Sequence, residues 1–133
     1  MAHLQLSEIW TAAGVVLGFQ VTSFLWRISN EVARGSKGDI TWLPPADVLN
    51  LIAMVVLVVG VFIAPLAGWS LVKSPHKAFG LAVILYVGHC SALAGHYDMF
   101  NPRTPRSMKY FPFQERVVVG IVAAVAVAYC VWV

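Results

Sequence analysis

Four long apolar segments constrain this chain more than any other feature of its sequence. They run from about residue 9 to 27, 47 to 72, 77 to 97 and 115 to 133, and connections with charged residues or prolines separate them. A helix needs about 20 apolar residues to cross the roughly 30 Å hydrocarbon core of a bilayer. The sequence therefore predicts an all-α integral membrane protein, folded as an antiparallel bundle of four transmembrane helices.

The composition agrees with a membrane protein. Hydrophobic residues make up 59% of the 133 residues and charged residues 11%, whereas soluble domains contain about 25% charged residues. Four spans and their connections account for the whole length, so we expect a single membrane domain over residues 1–133 and no nucleic-acid binding. No Lys or Arg precedes the first apolar segment, so we expect a retained span rather than a signal peptide.

The basic residues of the connections predict the orientation of the helices. The first and third connections contain seven Lys or Arg and the second contains two. Because Lys and Arg are enriched in cytoplasmic loops, we expect the first and third connections in the cytoplasm and both termini on the non-cytoplasmic side. The seven are Arg27, Arg34, Lys37, Arg103, Arg106, Lys109 and Arg116, and the two are Lys73 and Lys77.

Glycine and proline predict where helices begin, bend and end. The first helix should continue past the membrane and end near Gly35. Pro44 and Pro45 should begin the second helix, where Asp47 in the first turn suits the positive end of the helix dipole. Pro65 should kink that helix near its far end.

Polar residues within or beside the apolar segments are the candidate site residues, because a polar group in hydrocarbon is costly and is a functional candidate by default. With a rise of 1.5 Å per residue, Gln20 and His89 each lie about 16 Å from the outer ends of their spans. We therefore expect His89 to hydrogen-bond to Gln20. A ligand or proton-transfer role for His89 remains open beside this structural one. The candidates are Gln20, Ser23, Asn50, His89 and His96.

The spacing of histidines and cysteines argues against a metal site or a disulfide. His89 and His96 are separated by about 10 Å along one helix axis, too far to bind one ion. No histidine lies on the facing spans, so we expect no metal and no bis-histidine haem, and the cofactor, if any, stays unknown. Cys90 and Cys130 differ by roughly 13 Å in depth, so we expect two free thiols.

Charged residues cluster at the inner boundary of the predicted membrane, where the simplest expectation is snorkelling and interfacial pairing. The third connection combines cations and aromatics with prolines, a composition that suits an anionic lipid surface. We expect its basic and tyrosine side chains to contact lipid headgroups. The boundary residues are Arg27, Asp47, His96, Asp98, Glu115 and Arg116, and the headgroup residues are Arg103, Arg106, Lys109 and Tyr110.

The size, the four spans, the long first connection and the polar inner half together resemble the MAPEG family of membrane-bound glutathione transferases and eicosanoid-pathway proteins. The likeness covers the whole chain as architecture. It implies a trimer with glutathione bound between protomers on the cytoplasmic side. The family's Arg, Asn and Glu pattern near the start of the second span has no full counterpart, because Asp47 and Asn50 stand there and apolar residues follow. No catalytic residue is carried over.

Small residues at helical spacing, such as Gly14 and Gly18, favour close packing of helices. The sequence thus favours a small polytopic membrane protein that acts by helix packing and interaction, as a homo-oligomer or an accessory subunit of a larger membrane complex. Its partners would be the lipid bilayer and other copies of itself or other membrane subunits. The alternative is a MAPEG-like membrane enzyme, a glutathione- or lipid-directed transferase with its site in the cytoplasmic half. A small transporter or channel ranks third, because no acid lies deep in a span.

Overall fold

Four long helices make up most of the chain in the computed structural model, which describes residues 5–38, 42–69, 74–103 and 109–132. Within those ranges every regular element is helical, and all four helices are long and apolar enough to cross a membrane. This confirms the predicted helical class and indicates an integral membrane protein. The helices are α1 (Leu6–Gly35), α2 (Pro45–Leu66), α3 (Pro75–His96) and α4 (Phe113–Trp132).

The helix boundaries follow glycine and proline. Helix α1 ends at Gly35, and α2 begins at Pro45 behind an extended Pro44, as predicted. Helix α2 ends at Leu66, earlier than the predicted end near residue 72. The reason is Gly68, whose φ of 65° is left-handed and whose neighbour Trp69 donates its N–H to the carbonyl of Ala64. This arrangement is a glycine-terminated helix end.

Helix α2 contains a π-helical turn over Val58–Ile63, which ends two residues before Pro65. Proline has no backbone N–H, so the carbonyl of Val61 loses its α-helical partner. The indole Nε1 of Trp10 on α1 donates to that carbonyl at 2.9 Å. The turn therefore exposes a backbone acceptor that links α2 to α1.

Helix α3 lies at the centre of the fold, packed along its length against α2 and α4, while α1 packs more sparsely against α2 and α3. Two buried apolar clusters hold these contacts. The first joins the start of α1, the end of α2 and the start of α3, and the second joins the middle parts of α2, α3 and α4. The first comprises Ile9, Ala13, Leu57, Val61, Ala78 and Ala82, and the second comprises Ala53, Leu85 and Val122.

Glycines on α3 allow α4 to approach closely. A Cβ added at Gly88 would lie 2.6 Å from both methyl groups of Val122. A Cβ added at Gly95 would lie 2.9 Å from the backbone nitrogen of Glu115. The second contact is with backbone, which cannot rotate away, so Gly95 fixes the position at which α4 begins.

The small residues of α1 and α4 face away from this core. A Cβ added at Gly14, Gly18 or Gly120 would have no described atom within 4 Å. Large apolar side chains such as Phe19 and Ile121 are exposed on the same two helices. The outward surfaces of α1 and α4 are therefore apolar and, at the glycines, flat.

Candidate functional site

A layer of buried polar side chains crosses the fold where α2 begins, and all four helices contribute to it. We call it the polar layer. Buried polar groups in an apolar surrounding need hydrogen-bond partners, so the partners of these groups indicate whether they hold the helices together or are free to bind a ligand. The polar layer comprises Gln20, Arg27, Asp47, Asn50, His89, His96 and Glu115, all buried.

The guanidinium group of Arg27 lies at the centre of the polar layer. Its Nε lies 3.2 Å from Oδ2 of Asp47 and donates to it, and its Nη1 donates to the hydroxyl of Tyr97 at 2.6 Å. Its Nη2 lies 3.7 Å from Oε1 of Glu31, one helical turn further along α1. The Arg27 side chain is 4% exposed and that of Asp47 is 1% exposed, so this ion pair joins α1 to α2 away from water.

Glu115 caps the start of α2 from a different helix. Pro44 provides no side-chain cap, and Pro45 has no N–H, so the N–H of Ala46 needs an external acceptor. Oε1 of Glu115 accepts from it at 2.7 Å, while Oε2 lies 2.8 Å from Nδ1 of His96 with one proton between them. A carboxylate is favourable at the positive end of a helix. Glu115 thus joins α4 to α2 and α3.

His89 also binds the first turn of α2, which corrects the expected bond to Gln20. Its Nδ1 lies 2.8 Å from the carbonyl oxygen of Ala46. A carbonyl can only accept, so Nδ1 of His89 carries the proton. The same nitrogen lies 3.6 Å from Oδ1 of Asp47, and the His89 ring stacks on that of Tyr86. Depth along the helices matched Gln20 to His89, but the rotation of α3 directs the ring towards α2.

The hydrogen bond between Asn50 and Gln20 uses the backbone of Gln20 and not its side chain. Nδ2 of Asn50 donates to the backbone carbonyl of Gln20 at 3.2 Å. Four buried side-chain atoms have no hydrogen-bond partner among the described residues. They are Nε2 and Oε1 of Gln20, Oδ1 of Asp47 and Oδ1 of Asn50. Three of the four are acceptors, so this part of the polar layer has a surplus of unpaired oxygen.

The remaining candidates lie at the edge of the polar layer or outside it. Ser23 is half-buried on α1 and takes part in none of the bonds above. Arg103, Lys109 and Tyr110 are exposed, in agreement with an accessible third connection, while Arg106 lies outside the described residues. The hydroxyl of Tyr110 donates to the carbonyl of Leu43 at 3.2 Å. The first and third connections therefore meet at one end of the fold.

Two pairs of the charged residues expected at the inner boundary are in contact with each other. Arg27 binds Asp47, and His96 binds Glu115. Arg116 is exposed. Snorkelling does not describe Arg27, because its charge stays buried beside a carboxylate instead of reaching water.

The five candidate site residues singled out from the sequence did not include Arg27, Asp47, Glu115 or Tyr97, although the first three were expected in the charged cluster at the inner boundary. Positions in the predicted helices could have identified three of these four residues. Arg27 lies seven residues after Gln20 on one face of α1, and Asp47 and Glu115 each occupy the first turn of a helix. Tyr97 has no such signal, since it lies just past the end of α3.

The chemistry open to the polar layer is charge pairing and proton sharing. Among the described residues, no three side chains of His, Cys, Asp or Glu lie together so as to hold a metal ion. Cys90 and Cys130 are free thiols, as expected, and both are exposed. Carboxylates and imidazoles in contact can hold or pass a proton, but here each contact also joins two helices.

Protein-family models, curated proteins and solved structures were compared with this chain, and none of them matches it. The case for a function therefore rests on the residues and their contacts.

Proposed function

We propose that this chain is a single antiparallel bundle of four transmembrane helices that acts by helix packing and interaction, as a homo-oligomer or as an accessory subunit of a larger membrane complex. One observation carries the proposal. The buried charged groups pair with partners inside the protomer, while the apolar faces of α1 and α4 have no packing partner among the described residues.

The pairing favours a structural role for the polar layer. A catalytic group must reach a substrate, but both carboxylate oxygens of Glu115 are bound within the chain, and Arg27 is held by three partners. Burying charges is costly unless they are paired and hydrogen-bonded. In this arrangement their removal from water is offset by contacts that tie four helices together.

The outward surfaces favour contact with other membrane helices. Association in lipid depends on close packing, and small residues at an interface let two backbones approach each other. Gly14 and Gly18 on α1 and Gly120 on α4 meet the geometric requirement, because a Cβ there would have no described neighbour within 4 Å. These positions are the proposed contacts with other copies or other subunits.

Two observations support the antiparallel arrangement and its orientation. The first apolar cluster combines the start of α1 with the end of α2 and the start of α3, as expected when successive helices alternate in direction. The bond of Tyr110 to Leu43 brings the first and third connections to one end. These connections contain most of the Lys and Arg, so we assign that end to the cytoplasm and both termini to the opposite side.

The test is native mass spectrometry of the protein released from the membrane in a mild non-ionic detergent. A homomeric assembly or a complex with foreign subunits would support the proposal. Replacing Gly14 and Gly18 together by Ile should then shift the mass towards the monomer without lowering the protomer's unfolding temperature. The matched control is Val15→Ile, about 100° around α1 from Gly14, which should leave the assembly intact. A monomer in the unaltered protein would overturn the proposal.

A membrane transferase that acts on glutathione or a lipid is the second candidate, with its site in the cytoplasmic half. The observation in its favour is a cavity of about 320 Å³ beside Arg27 and Asp47, within the size range of small-molecule sites. Retention of glutathione or a lipid-like molecule by the protein in the same mass spectrum would favour this candidate.

A further inference from the structure

A second cavity lies at the end of the fold away from the polar layer, between α2, α3 and α4. Its volume is about 540 Å³, which is within the size range of small-molecule sites. None of the residues of the polar layer lines it. This cavity is therefore separate from the paired charges that hold the helices together.

The lining of this cavity is polar at one end and apolar along the rest. Ser74 and Lys77 lie at the start of α3, whereas Leu81 lies about one turn further along the same helix. The wall on α2 is apolar and includes Val55 and Val59. A ligand that fits the whole cavity therefore has a polar head beside the start of α3 and an apolar body beside α2.

The polar end of the cavity offers a positive charge and hydrogen-bond donors. Lys77 is exposed, it is the one charged residue of the lining among the described residues, and it forms no ion pair with them. The hydroxyl of Tyr129 on α4 lies against Gly80 of α3 and makes no hydrogen bond with the described part of the chain. The start of a helix also carries a partial positive charge. The head that complements this end is therefore an anion, whose oxygens accept hydrogen bonds.

The cavity opens towards the surface that a membrane would cover. Val55 is 61% exposed and Val59 is 36% exposed, although both belong to the cavity wall. Apolar side chains exposed on a membrane helix face lipid tails, so an occupant enters this cavity from the bilayer rather than from water. Val59 also belongs to the π-helical turn of α2, and such turns recur at functional sites.

We propose that this cavity binds one acyl chain of an anionic phospholipid. The phosphate lies beside Lys77, whose ammonium group donates a charge-assisted hydrogen bond to it, and the hydroxyl of Tyr129 donates a second one. The acyl chain lies between Val59 of α2 and Leu81 of α3. This proposal goes beyond the packing role and depends on neither the oligomeric state nor the orientation of the protein.

The test is native mass spectrometry of the protein in dodecyl maltoside micelles that contain equal amounts of phosphatidylglycerol and phosphatidylcholine, both with palmitoyl and oleoyl chains. Phosphatidylglycerol has a net negative charge, whereas the choline of phosphatidylcholine neutralises its phosphate. An ion pair at about 4 Å changes affinity about fivefold even at the high dielectric of water. We therefore expect the chain to retain phosphatidylglycerol at least about fivefold more often than phosphatidylcholine. Equal retention of the two lipids would overturn the proposal.

The variants Lys77→Gln and Lys37→Gln test the place of the headgroup. Both lysines are exposed, and only Lys77 lines the cavity. Lys77→Gln should lower the ratio of retained phosphatidylglycerol to phosphatidylcholine about fivefold, and Lys37→Gln should leave this ratio unchanged. An unchanged ratio in Lys77→Gln, or equal losses in the two variants, contradicts the proposed site.

The variants Val59→Trp and Val58→Trp test the place of the acyl chain. The two valines are adjacent on α2 and each is 36% exposed, but only Val59 lines the cavity. The larger side chain at position 59 should occupy the cavity and lower the retention of phosphatidylglycerol at least about fivefold, whereas Val58→Trp should retain it like the unaltered protein. Helicity and unfolding temperature verify that both variants fold, and Lys77→Gln decides the outcome if Val59→Trp does not fold. Unchanged retention in a folded Val59→Trp protein overturns the proposal.

Discussion

Replacing Gly95 by Ala should destabilise the protein, because this glycine sets the distance between α3 and the start of α4. The added Cβ would lie 2.9 Å from the nitrogen of Glu115 and 3.0 Å from the carbonyl carbon of Gln114. Ordinary contacts between such atoms are about 3.5 to 4.0 Å. The start of α4 must therefore move outward by about 0.5 to 1 Å.

That displacement acts on the polar layer through Glu115. Its bonds to Ala46 and His96 are 2.7 and 2.8 Å long, and a shift of this size lengthens them to about 3.2 to 3.8 Å, at or beyond the end of the hydrogen-bonding range. Overpacking costs about 1 to 3 kcal/mol, and a hydrogen bond lost in a membrane costs about 0.6 to 1.7 kcal/mol. The better helix propensity of alanine returns at most about 1 kcal/mol. With the middle value of each cost and one bond lost, the free energy of unfolding should fall by about 2 kcal/mol.

The measurement is reversible unfolding in bicelles, with Gly120→Ala on α4 as the control. Within one chain, an added Cβ at Gly120 has no described neighbour within 4 Å, so at a protein-to-lipid ratio low enough to keep the chains apart this variant should be unchanged or more stable by up to about 1 kcal/mol. The two variants remove one glycine each and should move the free energy of unfolding in opposite directions. If Gly95→Ala proved as stable as Gly120→Ala, the close approach of α3 and α4 would be refuted.

Two further predictions concern contacts of α1 with α2. Arg27→Met should lower the free energy of unfolding by about 3 to 5 kcal/mol, because it leaves the carboxylate of Asp47 buried without its partner. Adding Asp47→Leu should restore much of that loss. A double variant no more stable than the single one would contradict a purely structural role for the pair. Trp10→Phe should lower the free energy of unfolding by about 0.6 to 1.7 kcal/mol, because the hydrogen bond to the Val61 carbonyl is lost. The control Trp26→Phe, at an exposed position, should change this free energy little. Equal losses for the two variants in the same unfolding assay would contradict the hydrogen bond of Trp10.

The helix boundaries could be predicted from the sequence because proline and glycine impose them locally. Pro44 and Pro45 restrict the backbone wherever they occur, and they begin α2 as expected. Arg27 and Glu31 are one turn apart, so their contact at 3.7 Å depends on helix geometry alone. The π-helical form of the turn before Pro65 had no such local signal, because the apolar residues there suit an α-helix equally well.

The sequence predicts how deep each side chain lies along its helix, but not which neighbouring helix that side chain faces. Counting residues placed Gln20 and His89 at one level, yet His89 binds the carbonyl of Ala46. The rotation of a helix about its axis depends on how all its neighbours pack, and apolar residues on every side of α3 do not specify it. The capping of α2 by Glu115 could not be predicted from the sequence for the same reason, because the two bonded residues are 69 positions apart.

The membrane topology gives the most direct test of the central claim, that the four helices cross the membrane in alternating directions with both termini outside. Single cysteines at Ser36 and Ser74, in a variant that lacks Cys90 and Cys130, report the two ends of α2 because they lie before and after it. In intact cells a membrane-impermeant maleimide should label position 74 alone, and position 36 should react after permeabilisation. Labelling of both positions from outside would show that α2 does not cross, and labelling of position 36 alone would reverse the orientation.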